Sequence, residues 1–291
     1  MANSPDLHDE AVRRRLLVSA GALSRELQSA APPVVLDARS PARYGRGHIP
    51  GARPFPLAEI VQLRDGVQSL AEPAVFAARA GVAGLTRETP IVIVGERGCK
   101  EAAYVFWAFA YHGHTAVRVL DGGIEAWSSQ GGELTTAEPA AFNPAVYLPD
   151  VRADLRADAD QIRRRLGESG LVLLDTRDPD EFDGTDDAPG RGGHIPGAVR
   201  IDWEADLDET GLYHAASALR HHFAGKGIGA ESECILYCYG GPRAAHVYLA
   251  LKLAGYDRLR LYERSWADWS ARLDLPIATQ SEQDEGALGA G

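Results

Sequence analysis

Short apolar runs alternate with stretches of helical periodicity along most of the chain. Val34–Asp37, Ile91–Val94 and Val117–Leu120 are short and rich in β-branched residues. Such runs between helical stretches predict βαβ units, in which helices cover a parallel sheet. Ser19 and Asp158 each precede a helical stretch and are suited to cap it. The pattern therefore predicts an α/β fold.

The same pattern of blocks occurs twice. Asp37–Arg39 precedes the hexapeptide Gly47–Ala52 in the first half, and Asp175–Arg177 precedes an identical hexapeptide, Gly193–Ala198, in the second. Farther along each half, the spacing between a glycine and a tryptophan is also conserved between the two copies. A repeat of this length indicates duplicated domains rather than a solenoid.

The boundary between the copies is predicted from composition. Residues 133–150 contain several prolines and show no clear periodicity, which is typical of a linker. We therefore assign 16–132 to an amino-terminal domain and 151–278 to a carboxyl-terminal domain. The two ends, roughly 1–15 and 279–291, are small, polar or acidic, and we expect them to be disordered tails.

Composition narrows the class of function. A formal net charge of -11 over 291 residues disfavours a general binder of nucleic acid or of anionic membranes, so an anionic substrate needs locally placed arginines. No apolar stretch approaches the roughly 18 residues that span a bilayer. The three cysteines form neither a disulfide framework nor a Cys-x-x-Cys pair, which indicates a reducing compartment such as the cytoplasm. The histidines show no ligand pattern with the cysteines, and we predict neither a metal nor another cofactor.

Cys238 is the strongest candidate for chemistry. It ends the apolar run Ile235–Tyr237, and the glycine-rich segment that follows opens a helical pattern. We expect the strand end to expose the sulfur, the next backbone N–H groups to curl around it, and the helix N-terminus to add positive potential. Together these effects favour the thiolate, and Arg243 adds a cation at the far end of the loop. The alternative is an inert core cysteine, which the glycines argue against.

The order and duplication of these motifs resemble the tandem-domain rhodaneses, the family of thiosulfate and 3-mercaptopyruvate sulfurtransferases. The resemblance covers about residues 16–278 and rests on both pairs of blocks, the Cys238 loop and the paired endings at Trp127 and Trp269. It implies two rhodanese-like domains in tandem, each with a mostly parallel central sheet flanked by helices. It further implies that only the carboxyl-terminal domain keeps the catalytic cysteine.

Spacing along the chain indicates which residue of the first domain replaces the catalytic cysteine. Counting back from Gly113 by the interval that separates Gly255 from Cys238 reaches Glu96, so we expect a carboxylate at the cysteine position of the first domain. Cys99 lies three residues later, beside cationic neighbours. It is out of register, and we interpret it as an incidental loop cysteine rather than a second nucleophile.

The resemblance implies a double displacement. The Cys238 thiolate takes the outer sulfur of a donor such as thiosulfate, and a thiol or cyanide acceptor then removes it from the persulfide. Arg243 favours thiosulfate because a guanidinium matches tetrahedral oxyanions, and Arg191 is the candidate second substrate cation. The cradle for the terminal sulfur is predicted to consist of the backbone N–H groups of Tyr239, Gly240, Gly241 and Arg243.

Three alternatives stay open. The donor could be 3-mercaptopyruvate, or the protein could be a non-catalytic relay that passes persulfide to a protein partner. A Cys-Arg loop phosphatase is less favoured, because four residues separate Cys238 from Arg243 and the phosphatase loops are one residue longer. Glu263 and Arg264 also depart from the Asp-Gly that is common in the family, which bears on substrate preference.

The duplicated polar residues are predicted to be structural. Asp37 and Asp175 end buried strands, with Arg39 and Arg177 as candidate partners. The histidines of the two hexapeptides occur in both the active and the degenerate domain, so sulfur transfer cannot explain both of them.

Overall fold

The computed structural model describes residues 5–186 and 190–279 of the chain. In its first half the elements are α1 (Pro5–Leu16), β1 (Leu17–Val18), α2 (Ala20–Leu27), β2 (Val34–Asp37), α3 (Pro41–Arg46), β3 (Arg53–Pro54), β4 (Val61–Arg64), β5 (Val67–Leu70), α4 (Pro73–Val82), β6 (Ile91–Val94), α5 (Lys100–Tyr111), β7 (Val117–Leu120) and α6 (Gly123–Ser129).

The second half repeats this plan after a 3-10 turn at Ala153–Leu155. Its elements are α7 (Ala159–Arg164), β8 (Leu171–Asp175), α8 (Pro179–Asp183), β9 (Val199–Arg200), a 3-10 helix at Trp203–Asp206, α9 (Ala216–Gly225), β10 (Glu233–Tyr237), α10 (Pro242–Leu253), β11 (Leu259–Leu261) and α11 (Ser265–Ala271).

Each half builds one parallel sheet. The first has the strand order β1-β7-β6-β2-β3 and the second β11-β10-β8-β9, while β4 and β5 form a separate antiparallel hairpin. The predicted α/β architecture with two tandem domains is confirmed. The three strands predicted in the first half have the observed bounds, because β-branched runs of this length suit a sheet covered on both faces.

The two predicted helix caps are also present. The Ser19 side chain accepts a hydrogen bond from the N–H of Ala22 at the start of α2. Asp158 and Gln161 form a reciprocal capping box at the start of α7.

The predicted disordered tail is wrong for residues 5–15, which belong to α1. Arg13 donates to the carboxylate of Asp121 at 2.5 Å and to the backbone oxygen of Tyr213 at 2.9 Å. The carboxylate of Asp9 pairs with Arg220 of α9. The charged residues that made this segment resemble a tail therefore form ion pairs, which join α1 to both halves of the chain. Residues 280–291 of the other predicted tail lie outside the described residues.

The repeated Asp-x-Arg blocks hold the ends of the central strands. Arg177 donates to both carboxylate oxygens of Asp175, at 2.6 to 3.1 Å, and also to the backbone oxygen of Gly193. Arg39 and Asp37 repeat this arrangement in the first domain. Both pairs are buried, so each charge needs the other. Each Asp-x-Arg block therefore links the end of its strand to the hexapeptide of the same domain, which agrees with a structural role for these residues.

The hexapeptide histidines have matching structural roles. His48 stacks on Tyr44, and His194 stacks on Phe182, with ring centroids 3.8 and 3.7 Å apart. A ring nitrogen of each histidine bonds the backbone oxygen of its stacking partner.

The largest apolar cluster of the described residues spans both domains. α5 and α10 are almost entirely buried and pack against each other across the domain boundary. Both helices begin next to the carboxyl ends of their sheets, so this packing places the loops before α5 and α10 side by side. Among the described residues, no helix is long and apolar enough to cross a bilayer.

Candidate active site

Cys238 follows the last residue of β10 and lies at the carboxyl end of the second sheet, where parallel α/β sheets place their ligands. Residues 239–241 connect it to α10. The N–H of Gly241 donates to the Cys238 sulfur at 3.0 Å. The N–H of Cys238 itself donates to the Ser265 hydroxyl at 3.1 Å. One backbone N–H of the loop, that of Gly241, therefore contacts the sulfur.

The expected exposure of the sulfur needs correction. Cys238 is only 1 % exposed, and the Gly241 N–H of its own loop lies against the sulfur. It nevertheless lines a cleft of about 590 Å³ between the two domains. The sulfur therefore lies at the bottom of a cleft and not on the protein surface. A substrate has to enter between the domains to reach it.

Three further backbone donors of the predicted cradle have no acceptor among the described residues. Gly241 uses its N–H on the sulfur, whereas the N–H groups of Tyr239, Gly240 and Arg243 donate to no acceptor in the described part of the chain. Arg243 lies in the first turn of α10, where N–H groups have no intrahelical partner. The loop can therefore donate to a second sulfur atom that carries negative charge.

Arg243 is not the free cation that the sequence predicted. Its guanidinium binds both carboxylate oxygens of Glu181, at 2.6 and 2.8 Å, and one of Asp178 at 3.2 Å. Burial opposes its charge, but the Glu181 hydrogen bonds and the nearby Cys238 outweigh burial and raise the pKa of Arg243. Arg243 still lines the cleft, but its charge is compensated by α8.

Arg191 does not lie at this site. Its guanidinium donates to the backbone oxygens of Trp269, Ser270, Arg272 and Leu275, at 2.6 to 3.3 Å. These acceptors end α11 and begin the segment after it, so Arg191 caps a helix C-terminus. It is absent from the residues that line the Cys238 cleft, which corrects the expectation of a substrate cation at this position.

Sequence reasoning missed the two other cations of the cleft, Arg200 and Lys100. Arg200 ends β9, and Lys100 begins α5 of the first domain, with its ammonium 4.5 Å from the ring centre of Trp203. One signal was available. The residue two places after the hexapeptide is Pro54 in the degenerate domain and Arg200 in the other. The cation is therefore specific to the half that has Cys238.

The register of the sheets corrects the position of Glu96. Asp37 pairs with Val94 and Asp175 pairs with Tyr237, so Gly95, not Glu96, is the equivalent of Cys238. The first domain has one more residue between Gly95 and the start of α5 than the second has between Cys238 and α10. Counting back from Gly113 therefore ended one residue too late, at Glu96. The first domain therefore has no side chain at the cysteine position.

In the first domain, the residues of the loop between β6 and α5 are engaged in contacts within that domain. Glu96 pairs with Arg43 at 3.1 Å. Cys99 is buried, precedes α5 in a left-handed conformation (φ 49°), and donates to the backbone oxygen of Leu120. Burial, followed by the charges of Asp121 and Glu125, raises the pKa of the Cys99 thiol. These contacts support the interpretation of Cys99 as a structural cysteine.

We expect alkylation to distinguish the three thiols. Burial, with a smaller contribution from Glu233, raises the pKa of Cys234 to about 12, so roughly 10⁻⁴ of it is thiolate at pH 8. Iodoacetamide at pH 8 should therefore spare Cys99 and Cys234 in the native protein and modify Cys238, as read by peptide mass mapping. Unfolding in guanidinium should make all three react. Rapid native modification of Cys99 would contradict the structural interpretation.

The unusual Glu263 has a role across the domain boundary. Its buried carboxylate binds Arg156 at 2.5 Å and accepts a hydrogen bond from the Ser69 hydroxyl of the β4–β5 hairpin at 3.2 Å. The backbone oxygen of Glu263 also lies against Gly241. Glu263 thus links the hairpin of the first domain to the backbone behind the Cys238 loop.

Within the described residues, no group of three His, Cys, Asp or Glu side chains is placed to hold a metal ion. The site combines one cysteine and backbone donors with charged side chains of both signs, arginine and lysine cations and several carboxylates. That arrangement suits a nucleophile whose intermediate carries negative charge.

Known proteins share this architecture and sequence. A thiosulfate sulfurtransferase of Corynebacterium glutamicum is 32% identical over 277 residues, covering 90% of each chain. The sulfur carrier protein TtuD of Thermus thermophilus is 32% identical over 256 residues, covering 82% of this chain and 88% of its own. The anaerobic ergothioneine biosynthesis enzyme of Chlorobium limicola superposes with a TM-score of 0.83 at 22% identity, over 91% of this chain and 70% of its own, and shares the fold.

The family model described as "Rhodanese-like domain" matches residues 19–130 and again 158–272. The two matches fall on the two sheets described above. The chain therefore belongs to the rhodanese family of sulfurtransferases, with two rhodanese-like domains in tandem.

Proposed function

We propose that this protein transfers sulfane sulfur from thiosulfate to a thiophilic acceptor through a persulfide on Cys238. One observation carries the proposal. The Cys238 sulfur accepts the Gly241 N–H at 3.0 Å inside a loop whose Tyr239, Gly240 and Arg243 N–H groups lack acceptors in the described part of the chain. Such a loop stabilises negative charge on the attacking sulfur and on a second sulfur bound to it.

Each step balances without an added oxidant or reductant. The Cys238 thiolate attacks the outer sulfur of thiosulfate, a new S–S bond forms, and the S–S bond of the donor breaks, so sulfite leaves with the electron pair. Cyanide or a thiolate then attacks the outer sulfur of the persulfide. Thiocyanate or a new persulfide departs, and the Cys238 thiolate is restored.

Thiosulfate is the preferred donor for two reasons. The relative from Corynebacterium glutamicum, which aligns over 90% of this chain, is a thiosulfate sulfurtransferase. The cleft also contains two cationic side chains, Lys100 and Arg200, that have no carboxylate partner in the described part of the chain, which suits an oxyanion.

A persulfide relay is the second candidate, because the Thermus thermophilus relative is named a sulfur carrier protein. In that case Cys238 still forms the persulfide, and only the acceptor differs. A protein acceptor would have to bring its thiol into the cleft between the domains, because Cys238 is buried there.

Incubation with thiosulfate, 3-mercaptopyruvate or an aryl phosphate tests these functions. We expect thiosulfate to add one sulfur atom to the peptide that contains Cys238, cyanide to remove it as thiocyanate, and the cycle to turn over. Efficient loading with slow release to small acceptors would favour the relay. Turnover of 3-mercaptopyruvate alone would reverse the choice of donor, and phosphate release without sulfur loading would contradict the proposal.

A further inference from the structure

The cleft around Cys238 does not attract anions as a whole. Its lining includes three cationic side chains but also four carboxylates. The cations are Lys100, Arg200 and Arg243, and the carboxylates are Glu101, Asp178, Asp202 and Glu204. A dianion such as thiosulfate therefore needs a local cationic subsite whose charge is not already compensated by these acids.

The three cations differ in their partners. Arg243 binds Glu181 and Asp178, as described above. The Arg200 guanidinium has neither a hydrogen bond nor an ion pair in the described part of the chain, and the Lys100 ammonium has no carboxylate within 4.0 Å among the described residues. The uncompensated positive charge of the cleft is therefore on Arg200 and Lys100.

Strand register places the backbones of Arg200 and Cys238 at the carboxyl end of one sheet, and both residues line the cleft. Arg200 pairs with Asp175, which in turn pairs with Tyr237, the residue before Cys238. Arg200 is thus two strands away from the cysteine at the same carboxyl end of the sheet, a separation of about 10 Å between backbones. A long guanidinium side chain and a small bound anion together span that gap.

Lys100 reaches the same cleft from the other domain. Its ammonium lies 4.5 Å from the ring centre of Trp203, a cation–π contact that orients the side chain. The Trp203 ring in turn lies over Gly98 in the loop before α5. Trp203 is only three residues after Arg200, so the two cations face one region of the cleft from opposite domains.

We propose that Arg200 and Lys100 bind the anionic end of the sulfur donor, so that the degenerate first domain supplies part of the substrate site. This inference rests on the proposed function and names its specificity residues. The donor's outer sulfur then meets Cys238, and its sulfonate end lies between the two cations. Arg243 instead holds the start of α10 against α8.

The double displacement allows a sharp test, because each half-reaction has its own kcat/KM. We expect Arg200→Ala to lower kcat/KM for thiosulfate by about 10- to 100-fold and Lys100→Ala by about tenfold, from loss of a charged hydrogen bond. kcat/KM for the uncharged acceptor dithiothreitol should stay within about twofold. Arg200→Lys should recover part of the loss, because lysine keeps the charge without the bidentate fork.

Arg46→Ala is the matched control. Arg46 is exposed on α3, outside the cleft, and its side chain has no hydrogen bond or ion pair in the described part of the chain. Arg46→Ala changes the net charge of the protein by the same amount as Arg200→Ala. It should leave kcat/KM of both half-reactions unchanged. If Arg200→Ala behaves like Arg46→Ala, or slows both half-reactions alike, the inference is overturned.

A binding measurement separates this inference from the proposed function. In Cys238→Ser, which cannot turn over, calorimetry should detect thiosulfate binding that the added Arg200→Ala change weakens by at least about tenfold. An inactive wild type with an Arg200-dependent anion site would refute the function but retain the subsite. Binding that is indifferent to Arg200 and Lys100 would refute the subsite, whatever the activity.

Discussion

Cys238→Ser is expected to reduce sulfur transfer from thiosulfate on the order of 10³-fold or more and to abolish persulfide formation. A serine hydroxyl is not ionised at neutral pH and cannot hold a transferable sulfane sulfur. The loop itself should survive, since the Gly241 N–H can donate to a hydroxyl as it does to the sulfur at 3.0 Å. Thiocyanate production and intact mass after thiosulfate treatment measure the two effects.

The other cysteines provide matched controls. Cys99 and Cys234 are as buried as Cys238, but neither lines the cleft between the domains. Cys99→Ser and Cys234→Ser should retain sulfur transfer, even where they reduce thermal stability. Sulfur loading in Cys238→Ser that moves to Cys99 would show that the first domain also has a nucleophile, and the mechanism above would then be wrong.

The sequence predicted the features that depend on local pattern. Ser19 and Asp158 are caps because a short polar side chain can satisfy N–H groups two or three residues away. The β2 and β6 strands followed from β-branched runs of strand length. The Cys238 loop followed from a cysteine at a strand end with glycines behind it. In each case the deciding contacts lie within a few residues of the chain.

The incorrect predictions depend on contacts between distant segments. Arg243 is compensated by Glu181, 62 residues earlier, and Arg191 donates to carbonyls about 80 residues later. Neither pairing can be recognised from the residues next to the arginine in the sequence. The α1 helix resembled a tail because the partners of its charges, including Arg220, lie in other elements. A cation's function cannot be inferred until its carboxylate and carbonyl partners are known.

The equivalence of Glu96 and Cys238 failed for a related reason. A count from a shared glycine assumes that both copies have loops of equal length. The sheet register shows one additional residue in the first domain, between Gly95 and the start of α5. An insertion in a loop costs little, so duplicated domains readily diverge there. The register of paired strands is therefore a better guide to equivalent positions than spacing along the chain.

Gly241→Ala is expected to slow persulfide formation by about 10²-fold, the cost of one misplaced oxyanion-hole-type donor. Gly241 has φ 109°, which side chains with a Cβ rarely adopt. A Cβ there would lie 2.5 Å from Cε2 of the buried Tyr104 ring and 3.1 Å from the backbone oxygen of Glu263. Since neither neighbour can move easily, the loop must shift and carry the N–H away from the Cys238 sulfur.

Gly240→Ala is the control for this prediction. A Cβ at Gly240 would meet no described atom within 4 Å beyond its chain neighbours, and its backbone is outside the positive-φ region. This variant should load sulfur within a fewfold of the wild type. Single-turnover persulfide formation, followed by mass, compares the two variants, and circular dichroism verifies that both are folded. Because the two glycines are adjacent, equal rates in folded Gly241→Ala and Gly240→Ala would show that the Gly241 hydrogen bond does not assist the attack, and the cradle would lose its assigned role.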